Sequence, residues 1–173
     1  MPEIHVCSLA RLPQVTTACG ASHVVTLINA ETPVPRPESV VEGNHLFLGM
    51  NDIVSALEGQ VMPGEAHVRD LVEFARRWDR ERPCVVHCWA GISRSTAAAF
   101  IMACAIRPDF DEAELARDIR FNSPTATPNR RLVELGDQTL GRNGRMVAAV
   151  EAIGRGAFAH EGIPFSIPVG RRG

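Results

Sequence analysis

Pro83-Cys84-Val85-Val86-His87 is a short apolar run rich in β-branched residues, and Ser95 to Ile106 is apolar on every side. The first reads as a buried strand and the second as a helix buried all round. Only Cys88-Trp89-Ala90-Gly91-Ile92-Ser93-Arg94 lies between them. A buried strand that turns through so short a loop into a buried helix needs an α/β core around it. Such a loop points successive backbone N–H groups inward and aims a helix N-terminus at its centre, which is a cradle for tetrahedral anions. The same field favours a thiolate, so Cys88 is expected to be ionised and nucleophilic near neutral pH. Arg94 adds a planar fork able to bond two phosphate oxygens at once. Gly91 allows close backbone approach and positive φ. The plain alternative is an ordinary buried thiol beside a helix-start charge. The coincidence of nucleophile, cradle and cation favours chemistry.

In chain order, Glu3 to Leu9 reads as a first strand at an edge of the sheet, and Leu12 to Cys19 as a short helix ended by Gly20. His23 to Asn29 reads as a central strand. Glu31 to Pro37 is a proline-rich connector, and His45 to Leu48 a further short strand. Leu57 to Pro63 reads as a mobile loop. Glu65 to Arg82 has an amphipathic helical period, closed by Pro83. Asp111 is a candidate N-cap with Glu114 at the capping-box spacing, for a helix to about Phe121. Helices are expected again over Asn129 to Leu140 and Gly144 to Gly154. The pattern predicts an α/β fold, with a central, mostly parallel sheet of about four to five strands flanked by helices. Residues 1–155 are expected to form one domain, and residues 156–173, rich in glycine and proline, a flexible tail.

Composition narrows the chemistry. All eighteen cations are arginine, because the chain has no lysine. That removes Walker-type nucleotide loops, Schiff-base enzymes and kinase sites, each of which needs one. A net charge of −2 gives no reason to expect nucleic acid. From Gly141 onward five arginines face two glutamates, which reads as a solvated basic end. The five cysteines are scattered, and neither they nor the six histidines show metal-ligand spacing. The longest apolar run, Ala97 to Ile106, is half a membrane span. With no signal-peptide pattern at the start, a reducing cytoplasm is the expected compartment.

His87-Cys88-x-x-Gly91-x-x-Arg94-Ser95 resembles the signature loop of the protein tyrosine phosphatase superfamily, which includes the dual-specificity phosphatases. The resemblance implies a phosphatase acting on phosphate monoesters through a cysteinyl-phosphate, with no cofactor and no metal. Cys88 would be the nucleophile, and the amides of Trp89, Ala90, Gly91, Ile92, Ser93 and Arg94, with the Arg94 guanidinium, would bind phosphate. The family also needs an aspartate upstream to protonate the leaving oxygen and then activate water. Asp52 fits, after a short strand and in an irregular stretch; its plain alternative is a turn residue beside Asn51. Asp70 and Asp79 read as solvated helix charges, and Asp109 and Asp111 follow the loop. Ser95 resembles the hydroxyl that assists thiolate departure, and it also suits a helix N-cap. His87 resembles the residue that orders the loop. Trp89 suits a pocket wall or a core position. Pro128-Asn129 looks like the family segment whose asparagine braces the signature loop, which makes Asn129 the matching residue.

The Trp-Pro-Asp version of the acid loop is absent, and the chain has no tyrosine with which to clamp phosphotyrosine. Implied partners are phosphorylated proteins or small phosphate esters. Two other readings compete: an inert phospho-ligand binding module, and a thiol redox protein using Cys84 or Cys104. Cys84 would lie roughly 13 Å from Cys88 in an extended strand, too far for a disulfide.

Overall fold

The computed structural model describes residues 2–170. Five strands, β1 (Glu3–Ser8), β2 (His23–Ile28), β3 (His45–Gly49), β4 (Cys84–Cys88) and β5 (Phe165–Pro168), form one sheet in the order β3-β2-β4-β1-β5. The first four pair in parallel, and β5 runs antiparallel to β1. Every residue of β2 and β4 is buried, as expected for parallel strands covered on both faces.

Helix α1 (Leu12–Cys19) packs on one face, against a small cluster of Cys7, Leu12, Ala21, Val24, Val40 and Val85. The other face carries α2 (Glu65–Arg77), α3 (Arg94–Ile106), α4 (Glu112–Asn122), α5 (Arg130–Leu140) and α6 (Arg145–Ile153). Helix α3 is buried from Arg94 to Cys104 and touches α2, α4, α5 and the central strands. Its uniform apolar character reflects that position, since no side of it meets water. Asp111 caps α4 as its spacing predicts, accepting a bond from the Glu114 amide at 2.8 Å.

The structure corrects the sequence in three places. Helix α2 ends at Arg77, not Arg82: Trp78 turns extended, buries its ring and donates its indole N–H to the Arg82 carbonyl at 3.0 Å. The next residues form a turn with Arg80 at positive φ, so the chain can double back into β4. Strand β1 is not an edge, because β5 covers it. The same strand corrects the expectation of a loose tail: Phe165, Ile167 and Val169 are buried, and the Gly170 carbonyl accepts a bond from the Arg107 guanidinium. Residues 171–173, the end of that expected tail, lie outside the described residues. Among the described residues no helix is long and apolar enough to cross a membrane.

Candidate active site

Strand β4 ends at Cys88 and α3 begins at Arg94, so the intervening residues make the loop that the sequence predicts. Its carbonyls point outward and are held from several sides. The Leu9 amide donates to Trp89 O at 3.2 Å, Gly162 to Ala90 O at 2.9 Å, Thr127 to Ile92 O at 3.0 Å, and Asn129 to Ser93 O at 3.2 Å. In a planar trans peptide the following N–H points the opposite way. The amides of Ala90, Gly91, Ser93 and Arg94 therefore face the loop centre. One already has a partner: the Gly91 N–H donates to Cys88 Sγ at 3.2 Å.

Gly91 has φ +72°, and a Cβ there would sit 2.8 Å from both Cys7 C and Ser8 N at the end of β1. Only glycine fits both the backbone angle and the space.

Cys88 is 2% exposed, and its sulfur also lies 3.2 Å from Ser95 Oγ. Ser93, not Ser95, occupies the N-cap position of α3, so the Ser95 hydroxyl lies beside the sulfur and does not cap the helix. Arg94 is 8% exposed. Its Nη1 donates to the Met50 carbonyl at 2.8 Å, while its buried Nε has no partner among the described residues. A buried guanidinium with an idle N–H is costly unless an anion completes it.

Asp52 lies across the loop from a different part of the chain. Its Oδ1 accepts bonds from Ser93 Oγ at 2.7 Å and from Asn129 Nδ2 at 2.8 Å. Asn129 is 4% exposed and fully engaged. Its amide also donates to Ile53 O at 3.2 Å, and its Oδ1 caps α5 by accepting from the Leu132 amide at 3.0 Å. The expected brace of the signature loop is thus made by the Asn129 backbone, whereas its side chain holds the aspartate. A cleft of about 420 Å³ opens here, lined by Asp52, Ile53, Val54, Leu57, Ser93, Asn129 and Arg130 among others. Trp89 is 59% exposed, so it is not a core aromatic.

His87 is wholly buried, and desolvation pushes its imidazole down to about 4, so it is neutral. Nδ1 lies 3.1 Å from the Cys88 carbonyl, which can only accept, so Nδ1 carries the proton. Nε2 must then accept from the Thr26 hydroxyl at 2.7 Å, and Thr26 Oγ1 accepts in turn from His45 Nε2 at 2.8 Å. This chain of bonds fixes the tautomer and the orientation of the Cys88 peptide. Thr26, His45, Met50 and Gly162 had no sequence signal; two of them act through backbone atoms.

Burial raises the Cys7 and Cys104 thiols to about 12, and raises Cys84 as well. Cys104 sits ten residues along α3 from Arg94, about 15 Å away at helical rise. Neither Cys84 nor Cys104 is placed to resolve an oxidised Cys88.

No family model matches the chain. In sequence it is 35% identical over 106 residues to human dual specificity protein phosphatase 16, a stretch that covers 60% of this chain and 15% of that relative. Among solved structures it is similar to DUSP15, with a TM-score of 0.65 at 17% identity over 88% of this chain and 92% of that one. It is also similar to the PTP-2 phosphatase of Cydia pomonella, with a TM-score of 0.61 at 18% identity over 78% of this chain and 84% of that one. The structural likenesses show the fold, and the chain spans only a small part of the curated relative it matches. The chain thus has the fold that these phosphatases share, and part of its sequence is similar to one dual specificity phosphatase.

Proposed function

We propose that the chain is a cysteine-dependent phosphatase that hydrolyses phosphate monoesters through a cysteinyl-phosphate. One observation carries this reading: the buried Nε of Arg94, without a partner among the described residues, stands at the end of the same loop whose Gly91 amide donates to the Cys88 sulfur. A phosphoryl group seated there would satisfy the amides and the guanidinium together.

In the first step the Cys88 thiolate attacks phosphorus, the ester P–O bond breaks, and the Asp52 proton passes to the leaving oxygen. Both hydrogen bonds to Asp52 fall on Oδ1, which leaves Oδ2 to carry that proton. In the second step water attacks phosphorus, Asp52 takes a proton from it, and the S–P bond breaks. The Ser95 hydroxyl, 3.2 Å from the sulfur, then donates a hydrogen bond to the departing thiolate. His87 holds the Cys88 peptide and transfers no proton.

Asp52 is exposed at an open cleft, which suits phosphate esters of serine and threonine as well as tyrosine. The dual-specificity relative supports phosphoproteins as the substrate class. A thiolate nucleophile works in a reducing compartment, in keeping with the cytoplasm. The test is Cys88→Ser. Turnover of an aryl phosphate should be lost while binding of inorganic phosphate or vanadate persists; substantial turnover by this variant would exclude the mechanism.

A further inference from the structure

The crossing from α6 to β5, residues 155–164, touches the signature loop directly. Gly162 is its only buried residue. The Gly162 amide donates to Ala90 O at 2.9 Å, and a Cβ built on Gly162 would stand 2.8 Å from Gly91 O. The backbone of the crossing therefore lies flat against the outer rim of the loop, with no room for a side chain.

Anchors on either side hold it there. The Ser8 hydroxyl donates to Glu161 Oε1 at 2.6 Å, with Arg11 also 3.8 Å from that carboxylate. Upstream, the Gly156 amide donates to Thr127 Oγ1 at 3.1 Å, and the Ala157 amide to Pro124 O at 2.9 Å. A Cβ on Gly156 would come within 2.6 Å of Thr125 C and O. Thr127 is itself the residue whose amide holds Ile92 O. The crossing thus fastens the loop once directly and once through residues 124–127.

We infer that residues 155–164 are a positioning strap for the phosphate loop, with Gly162 its contact point, an inference that rests on the phosphatase reading above. The Gly162–Ala90 bond fixes the peptide whose far side is the Gly91 N–H, the same N–H that donates to Cys88 Sγ. Pulling or pushing that peptide re-aims an amide at the sulfur and at the phosphate. Gly162 is a positioning residue, since it reaches the reacting atoms only through Ala90 and Gly91.

The experiment compares Gly162→Ala, Glu161→Ala and Ala149→Gly with the parent chain. Each is scored for p-nitrophenyl phosphate turnover, for the inorganic phosphate concentration that protects Cys88 from iodoacetamide, and for thermal midpoint. The added methyl of Gly162→Ala meets the Gly91 carbonyl and must push the 91–92 peptide, which shares Gly91 with the N–H at the sulfur; misplacement of that order costs about tenfold or more in kcat/KM, with weaker phosphate protection. Glu161→Ala releases an anchor and moves both readouts the same way, less far. Ala149→Gly weakens α6 away from the loop; it should lower the midpoint and leave kcat/KM and protection unchanged.

Parent-like kcat/KM and protection in Gly162→Ala would overturn the inference. So would an equal loss in Ala149→Gly, which would make the effect one of general stability. If Gly162→Ala does not fold, Glu161→Ala decides, and parent-like values there reject the strap. The phosphatase reading fails separately, when the parent chain itself neither turns over the ester nor gains phosphate protection.

Discussion

Asn129→Ser separates the roles that one side chain combines. Serine keeps the cap on α5, because its hydroxyl can still accept from the Leu132 amide. It is too short and has too few donors to reach Asp52 Oδ1 and Ile53 O, now held at 2.8 and 3.2 Å. Each lost bond is worth about 1 kcal/mol net, so the fold should lose about 2 kcal/mol. For a chain of this size that lowers the thermal midpoint by roughly 4–8 °C. Asn129→Ala removes the cap as well and costs about 1 kcal/mol more.

The effect on turnover should depend on the leaving group. Asp52 keeps its bond to Ser93 at 2.7 Å and is loosened, not removed. Phenyl phosphate, whose leaving oxygen needs the proton, should slow about tenfold, a fraction of the ~10²–10⁴ that a positioned general acid supplies. p-Nitrophenyl phosphate, with a good leaving group, should slow no more than about twofold. Steady-state rates on both esters, with Asp52→Asn as the reference for full loss of the acid, make the assay. Equal slowing on the two esters would refute the assignment of the Asn129 amide to Asp52, and so would no slowing on either.

Two further outcomes follow from the buried polar groups. Thr26→Val keeps the strand and its volume but leaves His87 Nε2 buried without a donor, at a cost of about 1–3 kcal/mol. It should also speed alkylation or lower kcat through a displaced Cys88 peptide; a variant matching the parent in urea midpoint and kcat would show that the His45–Thr26–His87 chain is idle. Acid should weaken the fold in a defined window. His87 falls from 6.5 to about 4 on folding, so the unfolded chain binds the extra proton between those values and stability drops as pH falls through them, by on the order of 3 kcal/mol. Burial alone would raise the Glu112 carboxyl, but hydrogen bonds from Arg142, from its own backbone and from Arg145 hold it below its ordinary range, so its share is lost at still lower pH. Urea midpoints that stay flat from pH 7 to pH 4 would contradict a neutral, buried His87.

Much of the site was legible because its parts are local. Cys88, Gly91, Arg94 and Ser95 share one strand–loop–helix unit, whose apolar flanks and loop composition declare it without reference to the rest of the chain. The parallel sheet was readable from β2 and β4 for the same reason, since each is a β-branched run buried on both faces. Asp52 was harder, being an ordinary turn residue whose position depends on contacts with Ser93 and Asn129. Asn129 lies beside Asp52 and the loop, but its side chain and backbone divide these contacts differently from the expectation, because spacing cannot tell which atom points where. The last segment was misread for a physical reason. Glycine and proline suggest looseness, whereas Gly156 and Gly162 are small because the backbone passes too close to its neighbours for a side chain. Strand β5 hid in only four residues, with Phe165 and Ile167 its sole alternation.

The central claim is that inward amides and a guanidinium hold a reactive sulfur and a phosphate at one point. Iodoacetamide labelling near pH 6, mapped by peptide mass spectrometry with and without inorganic phosphate, tests it most directly. Cys88 should be labelled first despite its burial, ahead of Cys7, Cys84 and Cys104, and phosphate should protect it. Labelling of Cys88 no faster than those thiols, or unchanged by saturating phosphate, would contradict the account.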